Sequence, residues 1–207
     1  MAVDIRGQVG PRAALGDGSE NLVRTCRTGE IAVSDAHARY FEACARGNVF
    51  CGGNTAAQAT STSSATATGL ILTNPLGSGK YLAILDIEVG VGAAVAAAFE
   101  VGLFANINTL AAAVTQTTPI TPRNALLGSS LTGVGLLASA ATLPAAPTHI
   151  RTLLASGWVT ATAQSMEVVK DEVAGAIILL PNTAVSIQSV LGTQSIIASM
   201  TWEEVAI

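Results

Sequence analysis

Ile196 to Val205 reads IIASMTWEEV and alternates without a break: Ile196, Ala198, Met200 and Trp202 take one side of an extended chain, and Ile197, Ser199, Thr201 and Glu203 the other. Successive side chains of a strand point to opposite faces, so this period of two marks a strand with one dry and one wet face. Trp202 and Met200 are therefore expected in a core beside Ile196.

The same pattern recurs toward the N-terminus. In TAVSIQSV, Val185 and Ile187 oppose Ser186 and Gln188. In LDIEV, Leu85, Ile87 and Val89 oppose Asp86 and Glu88, and in FEVGLF, Phe99, Val101 and Leu103 oppose Glu100 and Gly102. Pro181-Asn182 reads as the turn of an antiparallel hairpin. Strands are expected near residues 69–73, 81–89, 95–104, 149–155, 158–162, 175–180, 183–190 and 195–203. Short strands separated by Gly/Pro turns, with no alternating helices, predict an all-β fold: an antiparallel, jelly-roll-like β-sandwich. Residues 106–148 keep no strand pattern and are broken by Pro119, Pro122, Pro144 and Pro147. This segment is expected to lie against a neighbouring subunit, with a short helix at TLAAAV, residues 109–114.

Charge divides the chain. Of its 24 charged side chains, 12 precede Cys51, and the 156 residues that follow hold the other 12. The boundaries that follow are an N-terminal arm over residues 1–51, a linker over the small polar run 52–67, and a β-sandwich domain over residues 68–207. Within the arm, Ser34, the pairs Asp35/Arg39 and Glu42/Arg46, and Gly47 would cap, brace and stop a short helix, with an extended arm as the alternative. The arm is assigned to docking, with Arg24, Arg27, Arg39 and Arg46 placed to pair with a partner's carboxylates.

A net charge of −4 argues against nucleic acid as a partner, because neutralising phosphates requires clustered Lys and Arg. The uncharged run Asn124–Thr148 is interrupted by Gly, Ser and Pro and lacks a flanking aromatic belt, so no membrane span is expected. No signal peptide is read at the N-terminus, where Asp4, Arg6 and Arg12 occupy the place of an apolar core.

No catalytic constellation, cofactor or metal is expected. NPLGSGK, Asn74–Lys80, has neither the glycine spacing nor the Ser/Thr of a phosphate loop, and a strand rather than a helix follows it; it reads as a bend before a strand, with Lys80 exposed. GVGLLA, Gly133–Ala138, matches the letters of a dinucleotide fingerprint but lacks its preceding strand and downstream carboxylate, and reads as loop. Cys26, His37, Cys44 and Cys51 lack a close Cys pair, so the cysteines read as reduced packing residues, with a Cys26–Cys44 or Cys44–Cys51 bridge as the alternative. His37 beside Asp35 reads as a surface pair, and the adjacent Glu203 and Glu204 point to opposite faces of a strand, which prevents a shared acid/base role.

RTGEIAVSDAHARYFEACARGNVF (Arg27–Phe50), TGLILTNPLGSGKYLAIL (Thr68–Leu85), TTPITPRN, LLPNTAVSIQS and SMTWEEV together give most of the chain a phrasing that resembles virion structural proteins of tailed bacteriophages. The resemblance implies a jelly-roll or β-sandwich subunit that assembles on a head or tail, as a trimer, with an arm reaching onto a neighbour such as the major capsid protein. It implies a capsid decoration (cement) protein located in the virion, with a tail or fibre-base component as the alternative. A receptor- or carbohydrate-binding module is a further alternative, for which Trp158 and Trp202 are the main aromatic candidates.

Overall fold

The computed structural model describes residues 38–93, 97–106, 111–156 and 168–207. Two compact units divide the chain, Met1–Glu42 and Ala43–Ile207. The second is an all-β sandwich of two antiparallel sheets packed face to face.

In chain order the elements are a single helical turn α1 (Phe41–Ala45), then β1 (Val49–Gly53), β2 (Gln58–Ala59), β3 (Thr66–Asn74), β4 (Lys80–Val91), β5 (Phe99–Ala105), β6 (Thr115–Ile120), β7 (Arg123–Asn124), β8 (Leu136–Thr142), β9 (Thr148–Ser156), β10 (Val168–Asp171), β11 (Ile177–Leu179), β12 (Thr183–Leu191) and β13 (Ser195–Ala206). The first sheet has the order β10-β4-β13-β1-β7, with β11 also on β4 and β2 on β13. The second has the order β6-β8-β3-β12-β5-β9.

Between the sheets lies the core, where Leu70, Leu72, Leu103, Leu137 and Ile187 of the second sheet meet Leu82, Ile84, Ile87, Ile196, Met200 and Trp202 of the first. Trp202 is fully buried and stacks on Phe50 with ring centroids 6.4 Å apart, so the face expected from IIASMTWEEV is the inward one. A register shift between Thr201 and Trp202 leaves Leu85 as an extra residue on β4, and the two strands stay in phase across it: Ser199 faces Glu88 above, and Glu203 faces Ala83 below.

Several expectations are corrected. Residues 106–148 contain β6, β7 and β8, and β8 pairs with β3 and β6 of its own chain. TLAAAV forms no helix over its described residues, Ala111–Val114. GVGLLA is not all loop, because Leu136–Ala138 begin β8. The Pro181-Asn182 turn, with Asn182 at φ 63°, joins no hairpin: β11 pairs with β4 in one sheet and β12 with β3 and β5 in the other. That turn carries the chain across the sandwich.

The division into arm, linker and body also shifts. The β unit begins at Ala43, and β1 supplies Phe50 to the core while pairing with β13 from Val49↔Glu203 to Gly53↔Ser199. Residues 52–67 are no free linker. Thr60 is buried, its hydroxyl donates to Gln194 O (3.0 Å) and also bonds Ser189 Oγ, and the Gln188 side chain accepts from Ser61 Oγ (3.0 Å) and Ser64 N–H (2.8 Å). Short hydroxyl side chains suit this path because each satisfies a buried polar group without adding bulk. The expected arm from Met1 to His37, and the strand near 158–162, lie outside the described residues.

Candidate functional site: the outer face of the first sheet

The bend that resembled a phosphate loop is a strand entry. Gly77 and Gly79 take φ values of 74° and 66°, and Lys80 then opens β4. Lys80 is only half-exposed, and its Nζ reaches Glu204 Oε2 at 3.0 Å, which corrects the expectation of a free surface lysine. Glu204 is buried beside Trp202 on the inward face of β13, and Glu203 lies on the other face, as the alternation requires. Glu204 Oε1 accepts the backbone N–H groups of Val134 (2.8 Å) and Gly135 (2.9 Å), with Trp202 Nε1 at 3.5 Å. A buried carboxylate is costly unless its oxygens are paired, and this one is paired on both. It acts as a clip that holds the loop leading into β8 and the start of β4 onto β13.

Outward-facing residues of the first sheet carry two surface features, one at each end. Register places Val205 beside Tyr81, Glu203 beside Ala83, Thr201 beside Asp86, Ser199 beside Glu88 and Ile197 beside Gly90. At one end, Ile178 lies beside Ala83, Leu180 follows it, and Ile207 N–H donates to Gly79 O (3.1 Å), next to the turn that bears Leu76. Ile178, Leu180, Val205, Ile207 and Leu76 are all exposed, Ile207 by 67% and Leu76 by 77%. Large apolar side chains exposed at one end of a sheet face make that end a candidate docking surface.

At the opposite end is a groove of about 290 Å³, lined by Gly53, Asn54, Glu88, Gly90, Val168 and Ile197 among others. Ser199 Oγ donates to Glu88 Oε2 (3.2 Å) at its margin. Lys170 Nζ stands 3.9 Å from both Asp86 and Glu88, a distance that gives Coulombic attraction without a hydrogen bond. Asn54 N–H donates to Ala198 O (2.9 Å), while its side-chain Nδ2 and Oδ1 are buried without a hydrogen-bond partner.

Of the four arginines expected to dock, Arg24 and Arg27 lie outside the described residues. Arg39 is exposed with its guanidinium 5.3 Å from the Tyr40 ring centroid, and Arg46 is exposed just past α1. Cys44 and Cys51 are free thiols, so the Cys44–Cys51 bridge is not formed; Cys26 and His37 lie outside the described residues. Burial pushes the Cys44 thiol up, with Glu203 and Cys51 adding to the effect, and burial followed by the Asp86 charge does the same to Cys51. His149 packs its ring against Phe104 at 5.2 Å. Among the described residues no three His, Cys, Asp or Glu side chains converge as metal ligands, and no helix is long and apolar enough to cross a membrane.

Asn54 and the groove were not read from the sequence. The only trace they leave there is the Gly-Gly-Asn at the start of the supposed linker. Comparison of the chain with protein-family models, with curated proteins and with solved structures finds no match.

Proposed function

We propose that the chain is a non-enzymatic structural subunit of a phage virion, a capsid decoration protein that stabilises the head as a homo-oligomer, with the trimer as its form. The observation that carries this reading is the apolar end of the first sheet's outer face, where Leu76, Ile178, Leu180, Val205 and Ile207 stand exposed together. Its natural occupant is a second copy of the chain. The body's 12 charges over 156 residues provide little of the polar coating that keeps a free monomer apart, and self-association removes such a surface from water. The resemblance of the sequence to phage virion proteins supplies the particle. A tail or fibre-base position would use the same surface against different neighbours.

Light scattering of the full chain at low micromolar concentration is expected to give an oligomer that Val205→Asp with Ile207→Asp converts to monomer. A stable wild-type monomer contradicts the oligomeric reading. Locating the subunit in a virion reconstruction tests the rest: density on the outside of the head supports decoration, and density at the tail base replaces it.

A further inference from the structure

The groove at the β10–β4–β13 end of the first sheet's outer face has a shape and chemistry distinct from the apolar patch at the other end. We propose that it binds an extended peptide segment of a partner protein, one that combines aliphatic side chains with a Lys or Arg.

Shape comes first. Gly90 of β4 is flanked in register by Ile197 on β13 and Val168 on β10. These two side chains stand exposed by 48% and 70% on either side of a position that has none. Neighbouring strands lie about 4.8 Å apart, so walls two strands apart are separated by roughly 10 Å, the space that one extended chain occupies when it packs on a sheet. A glycine within a strand at such a place leaves room for another backbone to approach.

Polarity comes next. The Asn54 carboxamide lies under the lining with neither its donor nor its acceptor used. A group in that state costs stability until it is paired. A peptide unit carries one N–H and one C=O and can satisfy both atoms once the side chain turns toward the groove. A sugar offers hydroxyls, but sugar sites rely on an aromatic platform, and none of the described residues lining this groove is aromatic.

Charge sets the remaining preference. Glu88 is at the rim with its side chain 45% exposed, and Lys170 is shared between it and Asp86 without a hydrogen bond to either. Ser199 Oγ supplies a single donor, so the Glu88 carboxylate keeps acceptor capacity for an incoming ammonium or guanidinium. The same excess of negative charge disfavours a nucleic-acid ligand. The inference concerns this groove alone and does not depend on which particle, if any, the chain belongs to.

The test is to pan a display library of random heptapeptides on the immobilised full-length chain and sequence what is enriched. Peptides combining Val, Ile or Leu with Lys or Arg are expected. Gly90→Leu, which fills the floor, should reduce their enrichment at least tenfold. Asn54→Ala should reduce it less, and Glu88→Lys should turn the selected charge from basic to acidic. Glu88 is a rim residue, so Glu88→Lys keeps the test valid if Gly90→Leu disturbs the strand, with near-ultraviolet circular dichroism checking the fold of each. Failure to enrich any peptide, enrichment unchanged by Gly90→Leu and Glu88→Lys, or enrichment of acidic sequences by the unmodified chain overturns the proposal. So does enrichment that appears only when the chain is dissociated to monomer, because the groove would then belong to a second copy.

Discussion

The two sheets share one core but treat their outer faces in opposite ways. Behind the second sheet, Ala67, Ile71, Ala138, Ala141, Leu143 and Ala184 form a second buried cluster, with Val114 packed against it. From Leu70 to Asn74, β3 is therefore buried on both faces. Behind the first sheet the described residues supply no such layer, and Ile197, Val205, Ile178 and Val168 are exposed. Among the described residues the sandwich thus covers one side and leaves the other open, which makes the open side the place to look for function.

Substitutions can break or sharpen that contrast. Trp202→Ala should have the largest effect, because it empties the core that both sheets share: a loss of about 4 kcal/mol in chemical denaturation is expected, the range for a buried aromatic. A loss under about 1 kcal/mol would mean that the sheets do not depend on this contact. The outer faces should then separate. Ile71→Ala, in the covered layer, should cost about 3 kcal/mol, whereas Ile197→Ala on the open face should change stability by no more than about 0.5 kcal/mol in the same assay. Equal costs would erase the distinction between the two faces.

The clip offers a finer comparison, because it fastens β13 to backbone N–H groups as well as to a lysine. Glu204→Ala should cost about 2 kcal/mol by leaving those donors buried without an acceptor, and Glu204→Gln, which keeps an oxygen in place, should cost about half as much. Thermal melts of the two variants side by side would show whether the backbone donors or the Lys80 charge dominate.

The smallest effect concerns the thiols. Folding raises the pKa of Cys44 and Cys51, so the folded chain holds these protons more tightly than the unfolded one, and stability should fall as pH rises above the ordinary thiol range. Site-resolved alkylation with iodoacetamide at pH 8 should accordingly be slower at both residues in the folded chain than in urea. Equal rates would remove the burial effect.

The contrast between the faces also explains what the sequence revealed. Strands β4 and β13 were legible because one face of each is wet, which is the condition that generates a period of two. Strand β8 was not: Leu137 faces the core, Ala138 and Ala141 face the second cluster, and small residues on both sides leave no contrast to read. Strand β1 was hidden by its own glycines. Gly52 sits against Leu137 and Gly53 against Ala198 and Ser199, where a β-carbon would clash, yet on a line of text they resemble the start of a linker. Asn54 was illegible for a different reason. Its interest lies in partners it does not have, and that is a property of surroundings rather than of residue type.

The central position of β13 has a consequence during synthesis. Strand β1 pairs early with β7 only at Phe50 and Cys51 and gains its full-length partner when residues 199–203 exist, and β4 likewise pairs along its length with residues 196–206. On a ribosome adding about 5–20 residues per second, β1 waits roughly 8–30 s after it is made before β13 exists. Throughout that interval β1 and β4 lack the strand that joins them into one sheet, and pairing so distant in sequence is slow to nucleate even afterwards. The first sheet therefore stays in two parts while the chain is still tethered to the ribosome, and slowing elongation just before β13 would lengthen that stage rather than assist folding.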